Sequence, residues 1–172
     1  MQNHFDLFNL PRRFAVDADA LDAAYRDVQG RVHPDRFVNA TDAEKRVAMQ
    51  WATRANEAYQ TLKNPQKRAA YLCELNGAPL DMESNTAMPV EFLMQQMEWR
   101  EALDEARGDG DTAALEALDH QVNVDRKARM MAVGQHLDAE EYTLAAQGVR
   151  ALSFIDKFAE ELEAVIQSLE DI

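Results

Sequence analysis

The residues best suited to chemistry form one short run, in which His33, Pro34 and Asp35 are followed by Arg36. An apolar stripe of helical spacing precedes this run and consists of Leu21, Ala24, Tyr25, Val28 and Val32. Proline has no amide N–H and disfavours helical dihedral angles in the residue before it, so the helix must end at His33. The sequence therefore predicts a loop that displays an imidazole, a rigid ring and a carboxylate. Nothing in helix packing requires that set of residues.

Each residue of the run also has an ordinary structural explanation. His33 could lie at the negative end of a helix dipole, Pro34 could simply stop the helix, and Asp35 could be a turn residue. An enzyme that uses His33 and Asp35 as acid–base groups is a further alternative, but no nucleophile or oxyanion motif accompanies them. We therefore predict no catalytic residue.

Metal binding is a weaker alternative. The chain has four histidines, and no two of them have the i, i+4 spacing of ligands on one helix face: His4, His33, His120 and His136. The only cysteine, Cys73, is isolated in an apolar stretch, which is typical of a buried, unreactive thiol. We therefore expect no metal site and no cofactor.

Charge is unevenly distributed along the 172 residues, whose net charge is −13. Residues 1–78 hold 11 Lys/Arg against 10 Asp/Glu, whereas residues 79–172 hold 7 against 21. Phosphates would repel such an acidic second half, so we expect no nucleic-acid partner. The acidic half could attract a basic partner, although a solvated acidic surface is the commoner explanation. No apolar run approaches the roughly 20 residues that span a bilayer, and we see no secretory leader. A single cysteine without an internal disulfide partner fits a reducing cytoplasm.

The first half of the sequence predicts four helices. The first covers about residues 5–9, and the second begins at Asp17 or Asp19 and ends at Val32. The third begins at a capping box at Thr41–Glu44 and ends at Asn64. The fourth begins at Pro65 and ends at a left-handed cap at Asn76-Gly77. An apolar stripe on the third helix is predicted to face the second, and it consists of Val47, Trp51, Ala55, Ala58, Tyr59 and Leu62.

The second half predicts an antiparallel bundle of three helices after an aperiodic stretch at residues 78–88. The helices are expected at residues 89–107, at 112–133 with Gly134 just past the end, and from a second capping box at 138–141 to about Leu169. One face of the last helix carries the expected core residues Leu144, Ile155, Phe158, Leu162 and Ile166. The predicted fold class is all-α, with domains at 1–77 and 89–172 joined by a linker at 78–88.

The helix at residues 89–107 has two apolar faces. One arc is wide enough for the bundle core and contains Phe92, Trp99, Ala102, Leu103 and Ala106. A second arc combines apolar residues with carboxylates, namely Leu93, Met94 and Met97 with Glu98, Glu101 and Glu105. Apolar residues rimmed by charge are typical of an interaction surface. The alternative is that the linker or the first domain folds over the second arc.

Several segments resemble known co-chaperones. The N-terminal ones resemble the J domain of DnaJ-type proteins: Tyr25-Arg26, Arg31–Arg36, Asn56–Tyr59, Leu62–Pro65, Lys67-Arg68 and Tyr71. Residues 68–77, 92–101 and 151–157 are similar to the end of the J domain, the opening of the C-terminal bundle and the last helix of the HscB family. The resemblance keeps its order over nearly the whole chain. It implies a J domain, made of a short first helix, a helical hairpin with the His-Pro-Asp loop and a fourth helix, followed by a three-helix bundle.

The resemblance also implies partners and contact residues. The J domain would bind a DnaK/HscA-type ATPase chaperone and stimulate its ATP hydrolysis, through His33, Pro34, Asp35, Arg26, Arg31 and Arg36. The bundle would bind an iron–sulfur scaffold protein of the IscU type through Leu93, Met94, Met97, Glu98, Glu101, Glu105 and Phe154. A J-domain co-chaperone for an unrelated client is the alternative.

Two positions depart from the family pattern. Met97 stands where leucine is common, and Asp27 stands where J domains often carry a third basic residue beside Arg26. The first change keeps the surface apolar, and the second weakens the basic face. The N-terminal cysteine-paired metal site of some eukaryotic relatives is absent from this sequence.

Overall fold

The chain folds into a series of helices. The computed structural model describes residues 2–84 and 87–171, and over these ranges it contains no strand. The elements are α1 (His4–Leu7), α2 (Ala18–Val32), a 3₁₀ turn (Pro34–Phe37), α3 (Asp42–Lys63), α4 (Pro65–Leu75), α5 (Val90–Asp109), α6 (Thr112–Asp138) and α7 (Tyr142–Glu170). The predicted all-α class is confirmed over these ranges. None of the helices in the described ranges is both long and apolar enough to cross a membrane.

Local sequence determines where the first helices begin. The Asp17 carboxylate accepts the N–H groups of the first turn of α2, and the Thr41 hydroxyl accepts the Glu44 N–H at 3.2 Å at the start of α3. The Asn64 side chain caps α4 in the same way, with Pro65 at its first position. Gly77, at φ +78°, follows α4 in the left-handed conformation that the sequence predicts.

Helices α2 and α3 form an antiparallel hairpin. The Tyr25 and Tyr59 rings lie 4.1 Å apart at its centre, and each phenol bonds across the pair, to Asn56 and Asp22 respectively. Ala55, Ala58 and Leu62 are buried as predicted. The apolar stripe does not continue to the beginning of α3, because Ala48 is the residue that packs inward there. Val47 and Trp51, which we predicted to face α2, are exposed.

Helices α5, α6 and α7 form the predicted bundle around their own core. The core face of α5 buries Phe92, Trp99, Leu103 and Ala106, which pack with Leu115, Leu118, Val122, Ile155, Phe158 and Leu162. Ala102, expected on the same face, is exposed because it lies at the edge of the arc. Leu144, expected in the core of α7, is 45% exposed, since it lies where α7 extends beyond the first turn of α5.

Two glycines allow close packing in the long α6–α7 hairpin. Gly134 does not end α6, which continues to Asp138, and a Cβ at this position would lie 3.0 Å from the Phe14 ring. A Cβ at Gly148 would lie 2.6 Å from Val133 Cγ2. The expected capping box at 138–141 does not form, because Asp138 belongs to α6 and α7 begins after Glu141. These glycines serve close approach rather than chain termination.

A second apolar core joins the first four helices to α6 and α7. It contains Leu72 and Cys73 of α4 together with the hairpin residues Val133, Leu137, Ala145, Ala146, Val149 and Leu152. Cys73 is fully buried there, and burial raises the pKa of its thiol to about 11, so that the thiol is neutral at physiological pH. Nearby, the buried Arg150 donates to the Leu80 carbonyl at 3.0 Å and holds the connecting segment against α7. The N-terminal helices are thus packed onto the bundle and not only tethered to it.

We predict that Gly148→Ala lowers the free energy of unfolding by about 1–3 kcal/mol, because the new methyl group would overlap Val133. Urea denaturation would measure the change. Gly108→Ala is the matched control, since nothing lies within 4 Å of a Cβ at this position, and it should be neutral or stabilising by up to about 1 kcal/mol. Equal effects of the two substitutions would contradict the close packing of the hairpin.

Candidate functional site

The His33-Pro34-Asp35 loop projects from the end of α2. His33 ends α2 in an extended conformation and also begins the 3₁₀ turn, where its Nδ1 accepts the Asp35 N–H at 3.2 Å. Asp35 Oδ2 lies 3.5 Å from the same nitrogen. The side chains of His33 and Asp35 are 58% and 89% exposed. The loop therefore displays both groups in a defined local geometry and does not enclose them in a pocket.

Three arginines that we predicted to act with the loop are exposed, but they do not form one cluster. Arg36 lies inside the 3₁₀ turn and Arg31 in the last turn of α2, whereas Arg26 lies seven residues before His33, about 10 Å along the helix. Arg31 Nη2 forms an ion pair with Asp27 Oδ2 at 3.0 Å. The departure at Asp27 thus partly neutralises Arg31, the basic residue in the last turn of α2.

An apolar groove runs beside the loop, and sequence analysis did not identify it. Its volume is about 480 Å³, and Pro34 forms part of its wall together with Val32, Phe37, Val38, Lys45, Ala48, Met49 and Ala52. Val38 and Met49 are strongly exposed. Both residues are apolar and lie outside the predicted stripe of α3, and this is the sequence feature from which the groove could have been found. A groove of this kind next to an exposed loop suits an apolar segment of a protein partner.

The second candidate site is the outer face of α5. We define the α5 surface as Leu93, Met94, Met97, Glu98, Glu101 and Glu105, with Phe154 of α7 at its edge. Leu93, Met94 and Met97 are 47%, 56% and 63% exposed, and the three glutamates are also exposed. No described residue of the linker or of the first four helices covers this surface, contrary to the alternative we considered.

Polar contacts on both flanks fix α5 and leave its outer face free. On the α6 side, Arg129 donates to Gln95 at 2.9 Å and to Asp125 at 2.7 Å, and its guanidinium lies 5.0 Å from the centre of the Phe92 ring. On the α7 side, Arg100 bonds to Glu161 and keeps the pKa of that carboxyl below its usual value, mainly through the hydrogen bond. The orientation of the α5 surface is therefore set by contacts outside it.

Phe154 is half-buried and connects the α5 surface to α7. Its ring lies 6.3 Å from the Phe92 ring, and Lys157 Nζ lies 5.9 Å from its centre. The structure adds Val90, which sequence analysis missed although it is strongly exposed and lies three and seven residues before Leu93 and Met97. That helical spacing is the sequence feature from which Val90 could have been found. Val90 extends the apolar stripe to the first residue of α5.

The histidines lie in separate surroundings. His4 stacks on the Tyr71 ring at 4.3 Å, and burial lowers the pKa of its imidazole. His136 Nδ1 lies 3.3 Å from Glu141 Oε1 near the α6–α7 turn. Within residues 2–84 and 87–171, no three His, Cys, Asp or Glu side chains are grouped as metal ligands would be. The exposed loop with its groove and the α5 surface remain the two candidate sites among the described residues.

Comparison with known proteins matches both parts of the chain. Residues 3–71 match the DnaJ domain family, and residues 88–163 match the HSCB C-terminal oligomerisation domain family. The chain is 54% identical to the co-chaperone protein HscB homolog of Burkholderia mallei and 53% identical to that of Burkholderia cenocepacia. Each match spans 98% of this chain and 96% of the relative.

Two solved structures have the same architecture. Chaperone HscB from Vibrio cholerae has a TM-score of 0.82 at 37% identity, with 98% of this chain and 99% of that chain covered. Human co-chaperone HscB has a TM-score of 0.86 at 27% identity, with 95% and 82% covered.

Proposed function

The chain belongs to the HscB family of J-domain co-chaperones, and on this basis we propose that it delivers an iron–sulfur cluster scaffold protein to an ATPase chaperone. In this proposal residues 1–77 bind a DnaK/HscA-type chaperone and stimulate its ATP hydrolysis, while residues 89–172 bind a scaffold protein of the IscU type. The observation that carries the proposal is that an exposed His-Pro-Asp loop and an exposed acidic, apolar helix face lie on one packed frame. The protein itself needs no catalytic group, and its single thiol suits the cytoplasm.

The loop would act on the chaperone by a population shift. ATP hydrolysis is favoured if His33, Pro34 and Asp35 make better contacts with the hydrolysis-competent state of the chaperone than with the other state. The short turn that holds these side chains limits the entropy lost on binding. The adjacent groove would accept an apolar segment of the chaperone, while Arg31 and Arg36 steer the encounter with an acidic surface.

The α5 surface would hold the scaffold protein. Its exposed apolar residues supply buried area in the complex, and Glu98, Glu101 and Glu105 favour a client that carries basic residues around an apolar centre. Binding both proteins at once raises the effective concentration of the client at the chaperone. The packed core between α4 and the α6–α7 hairpin would also fix the direction in which the client is presented.

We predict that His33→Gln abolishes stimulation of the chaperone ATPase without changing helicity or the melting temperature. The reason is that His33 is exposed and its hydrogen bond is confined to the loop. Steady-state phosphate release with purified HscA-type chaperone measures the effect, and circular dichroism checks the fold. Full stimulation by the folded variant would refute the role of the loop.

Removing the charge of Asp27 should strengthen the encounter with the chaperone. In Asp27→Asn, Arg31 loses its ion-pair partner, and we expect the association rate at low salt to rise roughly two- to fivefold. Stopped-flow fluorescence measures the rate. Asp109→Asn makes the same charge change at the last residue of α5, outside the loop and its arginines, and should leave the association rate unchanged. An equal gain in both variants would indicate only an effect of net charge.

The client surface is tested by Met94→Ala combined with Glu98→Lys. We expect the Kd for the purified scaffold protein to rise at least about tenfold, because apolar area is lost and a carboxylate is reversed, while ATPase stimulation by the variant alone is retained. Isothermal titration calorimetry measures the Kd. Met131→Ala, on an exposed position of α6 outside the α5 surface, is the control. Unchanged affinity in the double variant would argue against this surface.

A further inference from the structure

Three side chains between α5 and α6 form a closed ring of hydrogen bonds. Arg129 donates through Nη2 to Gln95 Oε1 at 2.9 Å and through Nε to Asp125 Oδ2 at 2.7 Å. Gln95 completes the ring by donating through Nε2 to Asp125 Oδ1 at 3.2 Å. Asp125 and Arg129 lie one turn apart on α6, so this helix alone places an acceptor beside a donor. The amide of Gln95, which can donate and accept at once, matches that pair.

The guanidinium of Arg129 also contacts the aromatic anchor of α5. Its central carbon lies 5.0 Å from the centre of the Phe92 ring, and Phe92 is one turn before Gln95. The Phe92 ring in turn lies 6.3 Å from the Phe154 ring of α7, centre to centre. Arg129 is therefore connected to two parts of the α5 surface. One is the beginning of α5, and the other is Phe154 at the edge of the surface.

The first turn of α5 is less supported by packing than the middle of the helix. Pro89, the N-cap residue, makes no side-chain hydrogen bond to this turn. A pocket of about 230 Å³ lies between the turn and the α6–α7 hairpin, and its lining includes Phe92 and Arg129. Farther along α5, Trp99 and Leu103 are almost completely buried in the bundle core. The hydrogen-bonded ring thus holds α5 at the end where the apolar packing is incomplete.

We propose that Arg129 is a positioning residue for client binding, an inference that rests on the function proposed above. It holds the first two turns of α5, and with them Leu93, Met94 and Met97, in the arrangement that the scaffold protein recognises. It does so without contacting the scaffold protein. If these turns leave α6 for part of the time, the surface is correctly arranged only in the remaining fraction of molecules. The apparent Kd then rises by the inverse of that fraction.

Arg129→Met tests this role, because methionine keeps an unbranched side chain and a high helix propensity but cannot form the ring. We expect the Kd for the purified iron–sulfur scaffold protein to rise about five- to tenfold, measured by isothermal titration calorimetry well below the melting temperature. Amide hydrogen exchange should accelerate in residues 90–97 but not in residues 99–106.

Arg126→Met is the matched control. Arg126 also lies on α6 and forms an ion pair, but its partner is Asp156 of α7 and not a residue of α5. The Kd for the scaffold protein and the exchange of residues 90–97 should therefore equal those of the unmodified chain. An unchanged Kd for Arg129→Met would overturn the inference, and so would weaker binding without faster exchange in residues 90–97.

Gln95→Met opens the ring from the α5 side and shows whether the ring acts as a unit. If it does, Gln95→Met weakens binding to a similar extent as Arg129→Met. The double variant Gln95→Met/Arg129→Met then binds no more weakly than the weaker single variant, because the second substitution has nothing left to break. Additive losses would mean that both side chains contact the client independently, and they would refute a positioning role.

The outcomes separate this inference from the proposed function. If the unmodified chain does not bind the scaffold protein, the proposed function is refuted and the client role of Arg129 with it. If Met94→Ala/Glu98→Lys binds weakly while Arg129→Met binds normally, the α5 surface stands and only the positioning role is refuted. Thermal melts accompany each variant. If Arg129→Met does not fold, Gln95→Met, which leaves the Asp125–Arg129 ion pair in place, decides the question by its Kd and its exchange.

Discussion

The apolar packing of α4 against the α6–α7 hairpin is the interaction on which the rest of the structure depends. Cys73 and Leu72 enter this core from one side, and Val133 and Val149 from the other. Each large buried side chain contributes on the order of 1.5–3 kcal/mol, whereas an exposed pair such as Arg31–Asp27 contributes at most about 1 kcal/mol. Burial, and not surface charge, therefore determines how the loop after α2 lies relative to the outer face of α5. A flexible tether would leave the loop and the α5 surface free to reorient, whereas a shared core fixes their mutual orientation.

Features that depend on neighbouring residues in the chain could be predicted from the sequence. Asp17, Thr41 and Asn64 cap the helices that follow them, and Pro34 ends α2, because each effect involves only the next few backbone groups. The periodicity of α5 identified its core face and its exposed face for the same reason. The loop residues and the outer face of α5 are accordingly exposed as the sequence predicts, while their role in binding stays a prediction.

Features that depend on distant parts of the chain could not be predicted. Gly134 has the sequence signature of a helix end, but it lies within α6, where the Phe14 ring from a distant part of the chain packs against it. Val47 and Leu144 have the spacing of core residues, yet no helix covers them at their ends of α3 and α7. A stripe shows which side of a helix is apolar, but not how far the neighbouring helix extends along it. Val90 differs from these residues, because its spacing from Leu93 and Met97 was present in the sequence. The groove beside Pro34 depends on where α2 ends relative to α3.

The uncovered helix ends are where the structure leaves openings beside the core. A core closes wherever two helices run alongside each other, and it opens where one helix ends before its neighbour. α2 ends at Val32 while the N-terminal turns of α3 lie beside it, which leaves the groove next to His33-Pro34-Asp35. α5 begins at Val90 while α6 and α7 continue past it, which leaves the pocket at Phe92. Unequal helix lengths thus produce both openings, while the packed core between them keeps the two openings in a fixed relation.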